Sequence, residues 1–407
     1  MFPTESKVVV IGGGVLGTSA AFNLANAGHD VVLLERGPIA GGTTPFAAGQ
    51  TGYLTGDRSK LEYYLYCIEF FENFEERTGY AIEFRQNGSL RLAMTEHFLP
   101  ELESRMEAAK SLGHSEVEWI TPAQASERVP ALDASGAKAI LFVPRDGFVD
   151  PKSVAVAYAA AARDRGAAIF TRTPVTGLDI SSGQVNAVHT ERGTIQTEWV
   201  VLAAGAWARQ FGQRIGLNIK AVPVLHQAFV TAPIGAVVES QPIVRVSEPQ
   251  IYVRPWEGGL LCGGYGYRPL SFDMNDFPDN FEMPALPTDR IYYHQLAEAA
   301  SRFFPALREA VVVQERRALP TIGPDAGFMV SELKQAKGLI VATSDMQGGI
   351  SRSPGIGHVI ADIVSGNDPW PMAAALDADR FGDEFNDDTE LRARCEDVYS
   401  RMYHSVI

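Results

Sequence analysis

Three glycines near the start of the sequence have the spacing of a phosphate-binding turn. Gly12, Gly14 and Gly17 follow a short apolar run and precede a helical pattern. In such turns the first glycine permits the tight bend, the second lets the backbone approach a diphosphate, and the third lets the helix pack against the strand. The phosphates then contact the first amides of the helix, here those of Val15 and Leu16. The motif predicts a dinucleotide site; a glycine turn without a ligand is the alternative.

The residues after the second predicted strand indicate which dinucleotide this is. That strand ends at Glu35, where a carboxylate can accept hydrogen bonds from ribose hydroxyls, and Arg36 follows it. A nicotinamide-binding domain would usually continue into a short connection and a helix, whereas this chain continues into a long glycine-rich stretch. We therefore predict FAD, with a flexible surface loop as the alternative. The predicted contacts along this stretch are Gly42, Thr43, Thr44, Phe46, Ala47, Ala48 and Gly49.

Two later segments are predicted to complete the cofactor site. A fully apolar strand at 199–203 ends on Ala204, Gly205 and Trp207, as suits a backbone that passes close to the adenosine end. Val175 lies on the segment that returns the chain to this domain. A second glycine turn feeds a helix, whose N-terminus would face the flavin pyrimidine edge, where negative charge accumulates on reduction. Its predicted contacts are Gly348, Gly349, Ile350 and Ser351.

Length and composition restrict the class of protein. The 407 residues are enough for two domains, and 46% hydrophobic with 21% charged residues is typical of a globular protein. A net charge of −14 opposes binding to nucleic acid or to anionic membranes. Three scattered cysteines predict neither a disulfide framework nor a metal site and suit a reducing compartment. No segment has the length and apolarity of a membrane span or signal peptide, so a cytoplasmic location is expected.

The pattern of elements predicts an α/β protein with two interleaved domains. Buried parallel-type strands alternate with helices in the segments 1–83, 140–220 and 320–407, which we assign to a discontinuous Rossmann-like domain for FAD. Alternating, β-rich runs dominate the segments 84–139 and 221–319, which predict an α+β substrate domain built on an antiparallel sheet.

These motifs, in this order, resemble the D-amino-acid-oxidase-like flavoproteins. The resemblance rests on the first glycine turn with its Glu-Arg pair and on the boxes at 147–151, 201–207, 320–324 and 341–351. Within that family the chain is most similar to the branch of dimethylglycine oxidase and dehydrogenase, sarcosine dehydrogenase and the sarcosine oxidase β subunit. The resemblance implies a glutathione-reductase-like FAD domain. It also implies oxidation of a small secondary or tertiary amine.

The resemblance makes the expected reaction more specific. The implied substrates are N-methylated amines or amino acids of the sarcosine or dimethylglycine type, or a cyclic imino acid. Hydride transfer to flavin N5 would give an imine that hydrolyses, which for N-methyl groups is N-demethylation. Oxygen, a transfer flavoprotein or a quinone would accept the electrons. Larger relatives attach the flavin through a histidine, and Phe46 stands at that position here, so we expect non-covalent FAD.

Two residues match the family's positions beside the substrate. His226 matches its histidine, and an ordinary pKa of ~6.5 would suit it to accept an ammonium proton. Tyr252 matches its tyrosine and could share that hydrogen bond. From the sequence alone, a packed core histidine or tyrosine is the simpler interpretation of either residue.

Candidate substrate-binding residues follow from charge and from departures within the family boxes. Arg254, Arg317 and Arg352 could bind a carboxylate, although a structural ion pair is the alternative for each. The relatives have Gly-His where this chain has Ser344 and Asp345. They also have glutamate after the tyrosine that corresponds to Tyr265, where this chain has glycine. Tyr265 and Asp345 are therefore predicted to shape the substrate site.

These departures leave three functions open. The leading one is an FAD-dependent amine oxidoreductase, acting as an oxidase or a dehydrogenase. A flavin-binding subunit or assembly factor without turnover is the second, and a subunit active only within a hetero-oligomer is the third. The sequence does not decide between a homo-oligomer and a hetero-oligomer.

Overall fold

The structure is a computed structural model that describes residues 1–344, 346, 348–368 and 370–403. Its helices are α1 (Val15–Asn26), α2 (Leu61–Glu72), α3 (Phe74–Thr78), α4 (Leu99–Ser111), α5 (Pro122–Arg128), α6 (Pro151–Asp164), α7 (Ala208–Arg214), α8 (Arg290–Ser301), α9 (Gly349–Ser365) and α10 (Asp388–Ser400). Its strands are β1 (Val8–Ile11), β2 (Val31–Leu34), β3 (Gln50–Thr51), β4 (Ser89–Ala93), β5 (Glu118–Trp119), β6 (Ala139–Val143), β7 (Gly147–Phe148), β8 (Ala168–Phe170), β9 (Val175–Ser181), β10 (Gln184–Thr190), β11 (Gly193–Gln196), β12 (Trp199–Leu202), β13 (Val222–Pro223), β14 (His226–Thr231), β15 (Ile243–Val246), β16 (Ile251–Trp256), β17 (Gly259–Gly264), β18 (Val312–Ala318), β19 (Thr321–Ile322), β20 (Met329–Leu333) and β21 (Ala336–Thr343).

The first sheet surrounds the strand that leads into the glycine turn. Its order is β11-β10-β21-β12-β1-β2-β8, with β9 beside β10 and β20 beside β21. β1 is parallel to both β2 and β12, and β12 is parallel to β21. Strands buried on both faces need continuous aliphatic runs, and β1 and β2 read Val-Val-Val-Ile and Val-Val-Leu-Leu. The predicted α/β class is confirmed.

Helices α1 and α9 pack in parallel on this sheet. The Ser19 hydroxyl donates to the carbonyl of Ser353 at 2.6 Å. One turn further along, a Cβ on Gly357 would lie 2.4 Å from both the Asn23 amide and the Ser19 hydroxyl. In the first contact, and for Asn23 and Gly357 in the second, the two residues lie equally far from the starts of their own helices, so the two helix N-termini lie side by side. Both positive helix ends therefore face one region.

The second sheet forms the wall of a β-rich lobe. Its order is β18-β14-β17-β16-β15-β4-β6-β5, mostly antiparallel, with β15 and β4 parallel. One face is covered by α8 and an apolar cluster that includes Val253, Cys262 and Leu296. The opposite face carries polar and aromatic side chains, which face the residues of the glycine-rich stretch.

Two elements lie elsewhere than the predicted segments suggested. β6 falls almost wholly within 140–220, assigned from the sequence to the cofactor domain, yet it pairs with β4 in the second sheet. α10 falls within 320–407, yet Cys395 and Tyr399 pack in the cluster that contains Tyr252 of that sheet. The sequence of a short apolar strand does not indicate which sheet it joins, and that of an amphipathic helix does not indicate which sheet it packs on. The sequence therefore could not assign β6 and α10 to a domain. Among the described helices, none combines the length and apolarity needed to cross a bilayer.

Candidate active site

The first glycine turn is built so that side chains would not fit. Gly12 has a φ of +113°, and a Cβ there would lie 2.3 Å from the carbonyl oxygen of Ala203. A Cβ on Gly17 would lie 2.0 Å from the carbonyl oxygen of Gly12. Gly14 caps α1 without a side-chain cap, and no acidic residue lies in the first turn. The turn thus holds β1, β12 and α1 in backbone contact and leaves a positive helix end for an anion.

Nearby side chains already bond to amides of this turn and of the segment after β2. The Glu35 carboxylate accepts from the Gly13 and Gly37 N–H groups, each at 2.6 Å. The Thr44 hydroxyl accepts from the Val15 N–H at 3.1 Å. The structure therefore brings the predicted ribose-binding carboxylate and the glycine-rich stretch to the same helix N-terminus.

The residues predicted for the adenosine end also gather beside this turn. The Arg36 guanidinium lies over the Trp207 ring, 3.9 Å from its centroid. A Cβ on Gly205 would meet nothing within 4 Å, so open space lies beside it. The Thr173 N–H donates to the Glu35 carbonyl at 2.9 Å, which brings Val175 on β9 close to the end of β2.

Two buried arginines hold the glycine-rich stretch against the second sheet. Arg316 donates to the carbonyl oxygens of Pro45 at 2.6 Å and Ala47 at 3.2 Å. Arg254 donates to the carbonyl oxygen of Ala48 at 2.7 Å. Burial is the main reason that the pKa of Arg254 is lowered, to about 9, so the side chain stays charged at neutral pH. The stretch is therefore fixed by main-chain contacts from the β-rich lobe.

The second glycine turn opens onto the start of α9. Gly348 caps this helix without a side-chain cap, and no acidic residue lies in its first turn. Arg352 is 8% exposed, and its Nη1 has no hydrogen-bond partner among the described residues. Its guanidinium lies against the Tyr64 ring. Asp345, which the sequence predicts at the substrate, lies outside the described residues.

These features fit a flavin dinucleotide. Two helix N-termini whose N-cap glycines provide no side-chain cap lie side by side, and the glycines of the first turn let β1, β12 and α1 approach closely enough to present the start of α1. The first end suits a diphosphate, and the second suits a ring edge that becomes negative. The residues that would hold the group are those of the two turns, the glycine-rich stretch and the adenosine-end cluster.

His226 is the centre of an aromatic group on the polar face of the second sheet. Its Nε2 lies 2.8 Å from the Tyr252 hydroxyl, and its Nδ1 lies 3.0 Å from the Tyr399 hydroxyl. The Tyr265 ring stacks on the imidazole with centroids 4.9 Å apart and planes 30° apart. A Cβ on Gly263 would lie 2.2 Å from the Tyr252 ring, so glycine is needed beneath that ring.

The electrostatics of this group differ from the expectation for an ordinary histidine. Burial lowers the pKa of His226 from 6.5 to about 4. Burial also raises the pKa values of Tyr252, Tyr265 and Tyr399 well above 10. The expected titration of His226 near ~6.5 is therefore wrong for the folded chain. At pH 7 the imidazole is neutral, so one ring nitrogen donates to a tyrosine oxygen and the other accepts from a tyrosine O–H.

The predicted arginines do not gather at His226. Arg254 shares the face of Tyr252, but its Nε and Nη1 donate to the main-chain carbonyls of Ala48 and Pro255. Arg317 pairs with Gln227 rather than with Ala228, so its side chain points to the opposite face, where it donates to Thr288. Successive side chains of a strand point to opposite faces of the sheet, so Arg316 lies on the face that carries Tyr252 and Arg317 lies on the other face.

A substitution noted in the sequence has a backbone explanation. Gly266 stands where the relatives have glutamate, and its φ is +82°. A Cβ there would lie 2.4 Å from the Gln250 amide nitrogen. Glycine therefore suits the turn after Tyr265, and the missing glutamate does not leave a gap in this chain.

Tyr399 and Arg316 are site residues that the sequence reasoning missed. Tyr399 lies on α10, far along the chain from His226, and is fully buried. Arg316 lies next to the residue that was proposed in its place. Reading β18 as a strand with one polar and one covered face could have distinguished Arg316 from Arg317. No comparable signal marks Tyr399.

Comparison with known proteins places the chain among flavoproteins. The DAO family, described as FAD dependent oxidoreductase, matches residues 7–363. The mitochondrial dimethylglycine dehydrogenase of Homo sapiens is 34% identical over 93% of this chain and 44% of its own. The mitochondrial pyruvate dehydrogenase phosphatase regulatory subunit of Mus musculus is 30% identical over 98% of this chain and 46% of its own.

A solved structure agrees with these sequence matches. L-proline dehydrogenase from P. horikoshii superposes with a TM-score of 0.83 at 26% identity, covering 93% of this chain and 98% of that one. The chain spans about half the length of the first two relatives.

Proposed function

The chain belongs to the DAO family of FAD-dependent oxidoreductases, and from this premise we propose that it oxidises a small secondary or tertiary amine. The family, the α/β FAD-binding fold and the cofactor FAD are thereby confirmed as the sequence predicts. The proposed substrates are N-methylated amines or amino acids, or cyclic imino acids. Oxidation removes a hydride from the carbon beside nitrogen and leaves an iminium ion, which water hydrolyses to a carbonyl compound and the smaller amine, with release of a proton. When bound, FAD supplies the hydride acceptor at N5.

The observation that carries this proposal is the neutral hydrogen-bonded group of Tyr252, His226 and Tyr399. An amine gives up hydride from the adjacent carbon only while its nitrogen lone pair is free, so the site must select the neutral amine. A carboxylate beside the amine would stabilise the ammonium form, and the group has none within its hydrogen bonds. We propose that Tyr252 and His226 orient the neutral amine by hydrogen bonds, and that the ammonium form loses its proton to solvent before the amine binds.

The surrounding aromatic side chains limit the access of water to this group, in which His226 is partly exposed. Tyr265, stacked on His226, is 8% exposed, and Tyr399 is fully buried. A dry site strengthens the hydrogen bonds that hold the amine and disfavours its charged form. Non-covalent attachment of FAD remains part of the proposal: Phe46 has no nucleophilic atom, and it packs against apolar residues that include Leu225.

A second function is favoured by one of the relatives. The pyruvate dehydrogenase phosphatase regulatory subunit matches nearly the whole chain, and its name describes regulation of a phosphatase. In that alternative this chain binds FAD without turning over an amine. The intact His226 group supports the enzyme instead.

Anaerobic flavin reduction distinguishes the two functions. Purified FAD-loaded protein is mixed without oxygen with N-methylglycine, N,N-dimethylglycine, 4-methylaminobutanoate and proline, and absorbance near ~450 nm is followed. An amine oxidoreductase is bleached by at least one of these amines. A regulatory subunit keeps its oxidised spectrum with all of them, and chemical reduction by dithionite shows that its flavin is still reducible.

A further inference from the structure

Two arginines lie beside Tyr252 on the same face of the second sheet. Arg245 of β15 is the direct cross-strand partner of Tyr252 of β16, and Arg91 of β4 is the direct partner of Arg245. Directly paired residues point to the same face, and adjacent strands lie ~4.8 Å apart. Arg245 is thus one strand from Tyr252, and Arg91 is two strands away. Neither residue was among the candidates from the sequence.

Two buried donors around these arginines have no partner among the described residues. They are Arg91 Nε and Gln50 Nε2. Gln50 belongs to this cluster because its Oε1 accepts from Arg245 Nε at 2.9 Å. Buried donors are nearly always hydrogen-bonded in native proteins, so two unsatisfied donors together indicate a missing acceptor.

The charges of the cluster do not balance. Asp146, fully buried, meets Arg91 at a long 3.5 Å and also accepts from the Ser89 hydroxyl. Glu101 pairs with Arg105 at 2.8 Å. Within the described part of the chain, no carboxylate lies within 4 Å of Arg245. One positive charge is therefore left over, and a single carboxylate would neutralise it.

The excess of positive charge in this cluster also affects the pKa of Arg91. Its pKa is lowered to about 9, first by burial and then by the charges of Arg245 and Arg105, against the opposing effect of Asp146 and Glu101. The tyrosines nearest the arginines, Tyr265 and Tyr403, have raised pKa values and are neutral. Arg91 is still charged at neutral pH, so an anion between the two guanidiniums would relieve their repulsion.

We propose that Arg245 and Arg91 bind the carboxylate of the substrate and so determine its specificity for an N-alkyl amino acid. This inference rests on the proposed amine oxidation, because it places the amine at Tyr252 and the carboxylate one strand away. Gln50, next to the glycine-rich stretch, bonds Arg245 and connects this site to the cofactor side. Arg254 and Arg316 have a different role, since both donate to main-chain carbonyls of the glycine-rich stretch.

The test compares each amino acid with its own primary amide, which has the same amine but no charge. FAD-loaded wild type, Arg245→Met, Arg245→Lys and Arg91→Lys are reduced anaerobically by N-methylglycine, N,N-dimethylglycine, 4-methylaminobutanoate and their amides. The ratio of acid to amide in reduction rate over Kd is the readout. Arg317→Met, on the other face of the same sheet, is the matched control.

We expect wild type to prefer an acid over its amide by ~100-fold, the order of a charge-assisted pair of hydrogen bonds. Arg245→Met should bring the ratio close to one, Arg245→Lys and Arg91→Lys should give intermediate ratios, and Arg317→Met should keep the wild-type ratio. A folded, flavin-loaded Arg245→Met that keeps the wild-type ratio would overturn the inference.

Failure of the proposed function gives a different result. If no amine bleaches the wild-type flavin, the site is tested by titrating butanoate and following the perturbation of the flavin spectrum. Binding to wild type that weakens at least tenfold in Arg245→Met would support the carboxylate site in a protein without turnover. Equal binding, or no binding to either protein, would reject it.

Discussion

The glycine turn of the first sheet and the polar face of the second sheet are two different kinds of site. At the turn the contacts come from the main chain: amides at the starts of α1 and α9, and glycines that leave room for close approach. On the second sheet the contacts come from side chains of β4, β14, β15, β16 and α10. Each turn of the main-chain site is a contiguous sequence motif, whereas the side-chain site depends on the pairing of distant strands.

That difference explains what could be predicted. The geometry of the turn could be predicted from Gly12, Gly14 and Gly17, because each glycine is required by the local backbone conformation or by a close backbone contact. His226 and Tyr252 were identified through the family resemblance, and their 2.8 Å contact remained to be seen in the structure. Arg245 could not be found, since only the register between β15 and β16 places it beside Tyr252.

The same reasoning explains the two weakest predictions. Arg317 was one residue away from Arg316, and in a strand one residue reverses the face. The pKa of His226 depends on the helix and strands that bury it, and no short motif reports burial. Local motifs could therefore be predicted from the sequence, whereas features that depend on tertiary contacts could not.

The largest expected effect is at the main-chain site. Gly17→Ala adds one methyl group that would lie 2.0 Å from the Gly12 carbonyl oxygen. We expect the variant to lose bound FAD, measured as the ratio of flavin to protein absorbance after gel filtration. Gly235→Ala is the control, because a Cβ there meets nothing within 4 Å. Full flavin content in Gly17→Ala would show that the turn is not the cofactor site.

A change at the side-chain site should separate chemistry from cofactor binding. His226→Ala removes the partner of both Tyr252 and Tyr399, which misplaces the group that orients the amine, and we expect anaerobic flavin reduction to slow by ~10²-fold. FAD content should stay near that of wild type. The exposed His97 gives a control variant, His97→Ala. Unchanged reduction in His226→Ala would remove His226 from the mechanism.

The partly buried imidazole should also make stability depend on pH. His226 has a folded pKa of about 4 against 6.5 when unfolded, so between these values only the unfolded chain binds the proton. Stability should fall as pH decreases from about 6.5 to about 4, by ~3 kcal/mol. Urea unfolding at several pH values measures this decrease.

The matched variant His226→Gln should lose most of the decrease in stability that wild type shows between pH 6.5 and 4. Gln keeps a hydrogen-bonding group at this position but has no proton to gain in this range. An identical stability profile for His226→Gln and wild type would mean that other groups cause the acid sensitivity.

The smallest effect sharpens the assignment of β18. Arg316→Met leaves the carbonyls of Pro45 and Ala47 without their donor, and we expect FAD binding to weaken about tenfold, or ~1.4 kcal/mol. Arg317→Met, on the other face, should bind FAD as wild type does. Kd values from flavin fluorescence titration of apoprotein measure both. The reverse result would mean that the register of β18 is misassigned.

The pH profile of anaerobic flavin reduction by an N-methylated amine tests the central claim most directly. If the neutral His226 group selects the neutral amine, reduction rate over Kd should rise with pH up to the ionisation of the amine, at ~10 for an alkylammonium. No separate step should occur between pH 6 and 7. A step near pH 6.5 that disappears in His226→Ala, or no reduction by any amine at any pH, would contradict this account.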